Sequence, residues 1–493
     1  MQYAVRPYVA AGIAILSAGC VTAARMAPPV HEVQLSDIRL VDNVADIMAG
    51  SGTPIPSPEY VSHVFDVFLQ SQYPNYTPEP VFYPAGNYAL YTGVKSLPLD
   101  TSEAQGAQIL DYDITQQVSA GSDVVVKTQS QSSTIAGMVM SELASQGVSS
   151  KDVSFVITGD PNLPDGGLFE RFAGLSLPSL GITFNGPTPS DLYPTTIYTL
   201  EYDGFADVPR YPIDIFSDLN SLAGIYYVHP TYDQVLTTDQ ILPVDQGGQA
   251  IQLPTVGDTM TTYYMLPTKD LPLLEPLRSI PVVGKPLADL VQPDLRVLVN
   301  LGYGDPDYGW SQGPANVPTK FGLFPNTADL QKVPALLAAG TQEGMTDFTR
   351  DVSAEFASAG SSLPSLATLT DPASATTGMT AVMNSPENIL AALSPDSLAN
   401  DLVNGTNAVS GALSAGYATL LPTADVANAL LTSLPAYDVS LFAQGLQAGD
   451  IIDAIGQPIA ADTYLVPLAG AFETFAIVGQ ISTVIGDLAS LIP

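Results

Sequence analysis

Between about Tyr60 and Pro325 the apolar residues follow two alternating patterns. Asp123-Val-Val-Val126 is a continuous β-branched run that reads as a buried strand. Ile135, Met138, Val139 and Leu143 then recur at helical spacing until Gly147, predicting a helix directly after that strand. Val153-Ser-Phe-Val-Ile157 and Thr195-Thr-Ile-Tyr-Thr-Leu200 read as two more strands, each closed by Asp and Gly, and Tyr88-Ala-Leu-Tyr91 as a short one ending at Thr92-Gly93. Strands alternating with helices predict an α/β fold, with a mainly parallel sheet covered by helices on both faces. Pro161–Gly167 and Gly302–Gly313 are turn-rich and read as loops over that core.

The pattern changes at both ends. In residues 1–24, Arg6 is the only charge before an uncharged run from Pro7 to Ala24, followed by small residues around Cys20. Such a segment is expected to be an export signal or, if retained, a membrane anchor. Leu16-Ser-Ala-Gly-Cys20 approaches a lipidation motif, with its leucine one place too far from the cysteine. All three readings predict an exported protein of the cell envelope or secreted space, and as an anchor or a lipidated segment the N-terminus would also hold it at the membrane. Residues 25–60 are polar with prolines and are expected to be linker, and 61–325 form the α/β body. Residues 326–493 read as an Ala/Leu-rich helical appendage packed on the core or on a neighbour. Within it, short helical patterns such as Pro386–Leu393 and Thr474–Ile481 are broken by Pro and Gly, and no Lys, Arg or His occurs after residue 350.

Composition narrows the chemistry. The 493 residues are 46% hydrophobic and 13% charged, too apolar for a disordered chain. With 15 Lys+Arg against 49 Asp+Glu, the net charge of -34 repels phosphate backbones and excludes nucleic acid as partner. Neutral or apolar ligands remain. Cys20 is the sole cysteine, which rules out a disulfide framework and a cysteine zinc site. No metal or other cofactor is expected. The three histidines are His31, His63 and His229, so a histidine-dependent mechanism must choose among them.

The segment Val124–Ala136 carries the candidate chemistry. A strand leads to Ser130 and a helix starts immediately after it, which is how a nucleophile elbow lifts a serine above a sheet. Small residues are needed two places to either side. Ser132 meets that need, whereas Thr128 stands where glycine is usual and predicts a looser elbow. In α/β-hydrolases the acid and the histidine follow the serine in that order. Asp203 lies just past the strand Thr195–Leu200, with Asp207 as its rival, and His229 is the only histidine after Ser130. His31 and His63 precede the predicted sheet and read as structural.

The stretches Ser96–Gly106, Ser130–Ala136, Val156–Gly167, Tyr202–Pro209 and His229–Tyr232 together resemble the mycobacterial PE-PPE domain, a cutinase-like branch of the serine α/β-hydrolases. The resemblance covers about residues 80–320. It implies an α/β-hydrolase fold, with Ser130 as nucleophile, His229 as base and Asp203 or Asp207 as acid. It also implies an oxyanion hole containing the Gln131 amide, with Thr92 or Gly93 as second donor. The implied activity is that of an esterase or lipase on acyl esters. Acyl transfer onto trehalose-type envelope glycolipids is the alternative, and Thr128 leaves a catalytically weak surface protein as a third reading.

Overall fold

The computed structural model describes residues 43–359 and 395–489, which lie in one compact unit. The N-terminal segment with Cys20, His31 and the stretch Pro386–Leu393 lie outside the described residues. A seven-stranded sheet forms the centre, built from β1 (Val44–Ile47), β2 (Thr77–Pro80), β3 (Val124–Gln129), β4 (Val153–Thr158), β7 (Thr195–Leu200), β8 (Ile251–Gln252) and β9 (Thr261–Leu266). Its order is β2-β1-β3-β4-β7-β9-β8, and every pairing is parallel except β8 with β9. A separate antiparallel pair, β5 (Ser176–Leu177) and β6 (Ile182–Thr183), sits in the loop region before β7. Val124, Val125 and Val126 are buried because both faces of the sheet are covered, which is why β3 is a continuous apolar run rather than an alternating one.

Helices α1 (Pro58–Val64), α2 (Leu99–Ser119), α3 (Gln131–Gln146), α4 (Leu168–Arg171), α5 (Ile215–Tyr227) and α6 (Gly284–Leu301) connect and cover the strands. Helix α3 stops where expected, at Gly147, which adopts the left-handed conformation that closes many helices. Apart from the turn at Gly449 and Asp450, the described residues of 327–489 are helical, as α7 (Thr327–Ala359), α8 (Pro395–Asn428), α9 (Leu434–Ala448) and α10 (Ile451–Ala489). Among the described residues no helix is long and apolar enough to cross a membrane.

Four expectations change. Residues 44–47, placed in a linker, form a strand at the centre of the sheet, and α1 begins at Pro58. Tyr88–Thr92 is a π-helical turn, not a strand: the amides of Tyr91 and Thr92 both donate to Asn87 O. The sheet edge on that side is already taken by β2, whose Pro78 and Pro80 suit an edge position. His63 follows the first strand rather than preceding the sheet, and is exposed on α1. Finally, the prolines expected to break the C-terminal helices lie inside them, Pro422 in α8 and Pro458 and Pro467 in α10. Each proline costs about 3 kcal/mol in a helix interior, comparable to what one or two buried large apolar side chains return.

That burial is extensive. Tyr437, Leu441, Ala460, Ala461, Tyr464, Leu465, Leu468 and Phe472 share one core cluster with Leu168, Phe169, Phe172 and Ile182 of the α/β body. Tyr464 stacks on Phe172 with centroids 5.4 Å apart. The C-terminal helices therefore share a hydrophobic core with the α/β body.

Candidate active site

Ser130 stands at the carboxyl end of β3, at the turn into α3, with φ 59° and ψ -123°. A non-glycine residue there stores about 1–3 kcal/mol of strain and persists only where neighbours fix it. The neighbours are explicit. Ser130 N–H donates to Thr158 O (3.1 Å), and Ser133 N–H donates to Ser130 O (2.8 Å). Ser132 Oγ accepts from Gln129 N–H (2.9 Å). Thr128, the residue expected to loosen this turn, is fully buried with Oγ1 3.3 Å from Ser133 Oγ. Its hydroxyl joins the packing under the elbow and the turn stays tight.

Asp203 and His229 come from the connection between β7 and β8. Asp203 follows β7 in a turn where Tyr202 has φ 68°. Asp207 holds this turn, its Oδ2 accepting from Tyr202 N–H at 2.8 Å, and burial pushes its carboxyl well above the usual carboxylate range. Asp207 therefore braces the loop, and no contact joins it to His229. Asp203 has no exposed surface and receives three donors: His229 Nδ1 (2.8 and 2.9 Å to its two oxygens), Phe205 N–H (2.9 Å) and Tyr232 Oη (2.7 Å). Burial, then the adjacent carboxylate, keep the Tyr232 phenol protonated and hence a donor. On the other side of the imidazole, His229 Nε2 lies 2.7 Å from Ser130 Oγ. Ser130, His229 and Asp203 thus form one continuous hydrogen-bonded chain.

The segment carrying His229 is anchored from below. Lys127, buried in β3, bonds Asp233 Oδ1 (2.9 Å), Thr158 Oγ1 (2.9 Å) and Thr128 O (3.1 Å), and Tyr60 Oη bonds the other oxygen of Asp233. Burial lowers the Lys127 ammonium pKa, while Asp233 opposes that shift.

Around Ser130 the candidate oxyanion donors separate. Gln131 is the first residue of α3, so its N–H has no intrahelical acceptor. Its side chain is fixed by Gly86 O (2.9 Å) and Ser51 Oγ (3.0 Å). Thr92 N–H is already taken by Asn87 O, which removes it as second donor, while Gly93 lines the same cavity as Ser130. The turn after β1 abuts the serine: a Cβ on Gly50 would sit 3.3 Å from Ser130 Cβ. Gly50 and Ser51 were missed because they lie in the segment read as linker. The signal there was slight, the short stretch Val44–Met48 interrupted by Asp46 and followed by Gly50-Ser-Gly52.

Ser130 and His229 open into a cavity of about 940 Å³. Leu168, Leu180, Ile182 and Phe184 form one wall, and Pro422, Val426 and Leu430 with Leu465, Leu468 and Phe472 form another. The C-terminal helices also reach the histidine. Phe472 of α10 stacks on Phe205 (6.3 Å), and Phe205 packs on the His229 ring (4.6 Å). Among the described residues no His/Cys/Asp/Glu cluster is arranged to hold a metal ion.

A family model described as the PE-PPE domain matches residues 74–304. Uncharacterized PPE family protein PPE28 of Mycobacterium tuberculosis is 45% identical over 463 residues, 91% of this chain and 67% of that protein. Esterase PE16 of the same organism is 46% identical over 298 residues, covering 59% of this chain and 53% of its own length. PE family protein PE3 is 40% identical over 311 residues, 60% of this chain and 61% of that protein. The chain thus spans about two thirds of the first of these relatives and less of the other two. Lysin B from Mycobacteriophage D29 overlaps 25% of this chain and 48% of its own at 18% identity, with a TM-score of 0.20. By its likeness to PPE28 across nearly its whole length, and by the matched domain, this chain belongs to the PE-PPE domain family.

Proposed function

We propose that the protein is a serine esterase of the cell envelope that hydrolyses apolar acyl esters, with Ser130 as nucleophile, His229 as general base and Asp203 as the acid that orients it. The observation that carries this reading is the Ser130–His229–Asp203 hydrogen-bonded chain opening into a largely apolar cavity. The relative named as an esterase supports the reaction class.

In the first half-reaction His229 Nε2 takes the Ser130 hydroxyl proton as Oγ attacks the acyl carbonyl carbon. Asp203 holds the imidazole by Nδ1 and stabilises the imidazolium that forms. The oxyanion is received by the Gln131 amide, with the Gly50–Ser51 turn facing it, and such preorganised donors supply the largest share of the acceleration. His229 then returns its proton to the departing alcohol. In the second half-reaction His229 deprotonates water, which attacks the acyl-enzyme and releases the acid. Replacing that water with a sugar hydroxyl would turn the same site into an acyltransferase. The roof of α8 and α10 over the cavity favours this second reading, because it restricts water near Ser130.

The test is labelling by a fluorophosphonate probe together with turnover of a chromogenic acyl ester. Ser130→Ala should abolish both while thermal unfolding stays near wild type. Labelling that persists in Ser130→Ala would place the nucleophile elsewhere. Ester product formed in place of free acid when trehalose is added would select transfer over hydrolysis.

A further inference from the structure

One side chain in the cavity takes no part in the mechanism above. Glu103 lies in α2, one turn after Leu99, and both residues line the cavity that contains Ser130. Glu103 is 3% exposed, and its Oε1 has no hydrogen-bond partner among the described residues. Burial, and then the charge of Asp100, push its carboxyl well above the usual carboxylate range and so favour its neutral form. A neutral carboxyl carries one donor and one acceptor, and Glu103 brings that group to the cavity wall. Native proteins rarely leave such a group unpaired, because it has lost its water and gained nothing in return.

Its position is tied to the reaction centre. Ser102, the neighbouring residue, accepts through Oγ from Gly86 N–H (2.8 Å), and Gly86 O accepts from the side chain of Gln131 (2.9 Å), the residue after Ser130. Tyr83, whose own phenol is raised by burial and then by Glu103, donates to Ala49 O (2.8 Å) at the turn that abuts Ser130. The surrounding wall is acyl-like: Leu99, Leu168, Leu180, Ile182 and Phe184 belong to one apolar cluster.

We propose that Glu103 determines specificity by hydrogen-bonding a hydroxyl carried on the acyl chain, close to the ester carbonyl. The preferred substrates are then hydroxyacyl esters rather than plain fatty acyl esters. The inference rests on the esterase reading above. A plain alkyl chain leaves Glu103 unpaired, whereas a hydroxyl at the α or β carbon both donates to and accepts from it.

The experiment compares p-nitrophenyl decanoate with its α-hydroxy and β-hydroxy counterparts on the full chain. Wild type should favour one hydroxy ester by about tenfold in kcat/KM, the worth of one neutral hydrogen bond. Glu103→Leu should bring that ratio to about one, the readout being the ratio between the hydroxy and plain esters rather than the rate on either. Glu103→Gln, which keeps a donor and an acceptor in the same shape, should retain part of the preference and guards against a Leu variant that does not fold. Equal rates on all three esters in wild type would overturn the proposal, as would a preference unchanged in Glu103→Leu. A Glu103-dependent preference for a glyceryl over a methyl decanoate, with none among the acyl variants, would move the hydroxyl to the alcohol side and also overturn it. Loss of plain-ester turnover and fluorophosphonate labelling in wild type would instead count against the esterase reading itself.

Discussion

Gly159 offers a sharp test of how far the reaction depends on the placement of His229. It follows β4 with φ 57°, and a Cβ built there would lie 2.9 Å from Tyr232 Cε2, 3.2 Å from His229 Cε1 and 3.3 Å from Asp203 Oδ2. Carbon atoms in contact prefer about 3.5–4.0 Å, so in Gly159→Ala the imidazole must retreat by roughly 0.3–0.8 Å. The Ser130–His229 contact, 2.7 Å in the native protein, would lengthen accordingly. A displacement of about 1 Å near reacting groups costs ~100-fold in rate, so Gly159→Ala is expected to lose about ten- to 100-fold in kcat. Its left-handed backbone adds a stability cost of about 1–2 kcal/mol. Gly147→Ala is the control, because Gly147 has φ 79° with nothing within 4 Å of its would-be Cβ. It should show a similar loss of stability with wild-type kcat. The assay is ester turnover and the rate of fluorophosphonate labelling, read beside thermal unfolding of both variants. A folded Gly159→Ala with wild-type kcat, or a Gly147→Ala with an equal loss of activity, would refute the reasoning.

Three further outcomes follow from the same geometry. Asp203→Asn should lower kcat about 10⁴-fold while Asp207→Asn, whose carboxyl braces Tyr202 N–H, should cost far less; pre-steady-state ester turnover distinguishes them. Ala429→Trp, which projects from the π-helical turn between α8 and α9 into the cavity, should depress kcat/KM on long acyl esters more than on acetyl esters. Equal losses on both would show that acyl chains do not run beneath the C-terminal helices. Burial raises the Asp218 carboxyl from 3.8 to about 9, so the folded state holds a proton that the unfolded chain releases above pH ~4. Its contribution to stability is full below that pH and is lost as pH rises through 9; Asp218→Asn should flatten this slope in denaturant midpoints measured across that range.

Much of the site was legible in the residues themselves. Val124–Val126 announced a strand buried on both faces, and the helical spacing from Ile135 to Gly147 placed a helix behind Ser130. Chain order alone then brought Asp203 and His229 forward, because a strand end and a lone downstream histidine are local features. What remained hidden was non-local. Whether Asp203 or Asp207 faces His229 depends on a turn with Tyr202 at φ 68°, set by packing rather than by the identity of two nearby aspartates. The Gly50–Ser51 turn acquires meaning only once β1 pairs with β3 and brings it against Ser130. Val44–Ile47 is too short to stand out from a polar leader by periodicity, and Tyr88–Tyr91 has strand-like residues with no free sheet edge to join. The C-terminal helices follow the same division. Their helicity was written in the Ala- and Leu-rich pattern, whereas their place beside His229 was decided by the apolar surfaces of Phe172, Phe205 and Ile182 that they bury. Local propensity acts within a few residues along the chain, while burial selects among partners hundreds of residues apart.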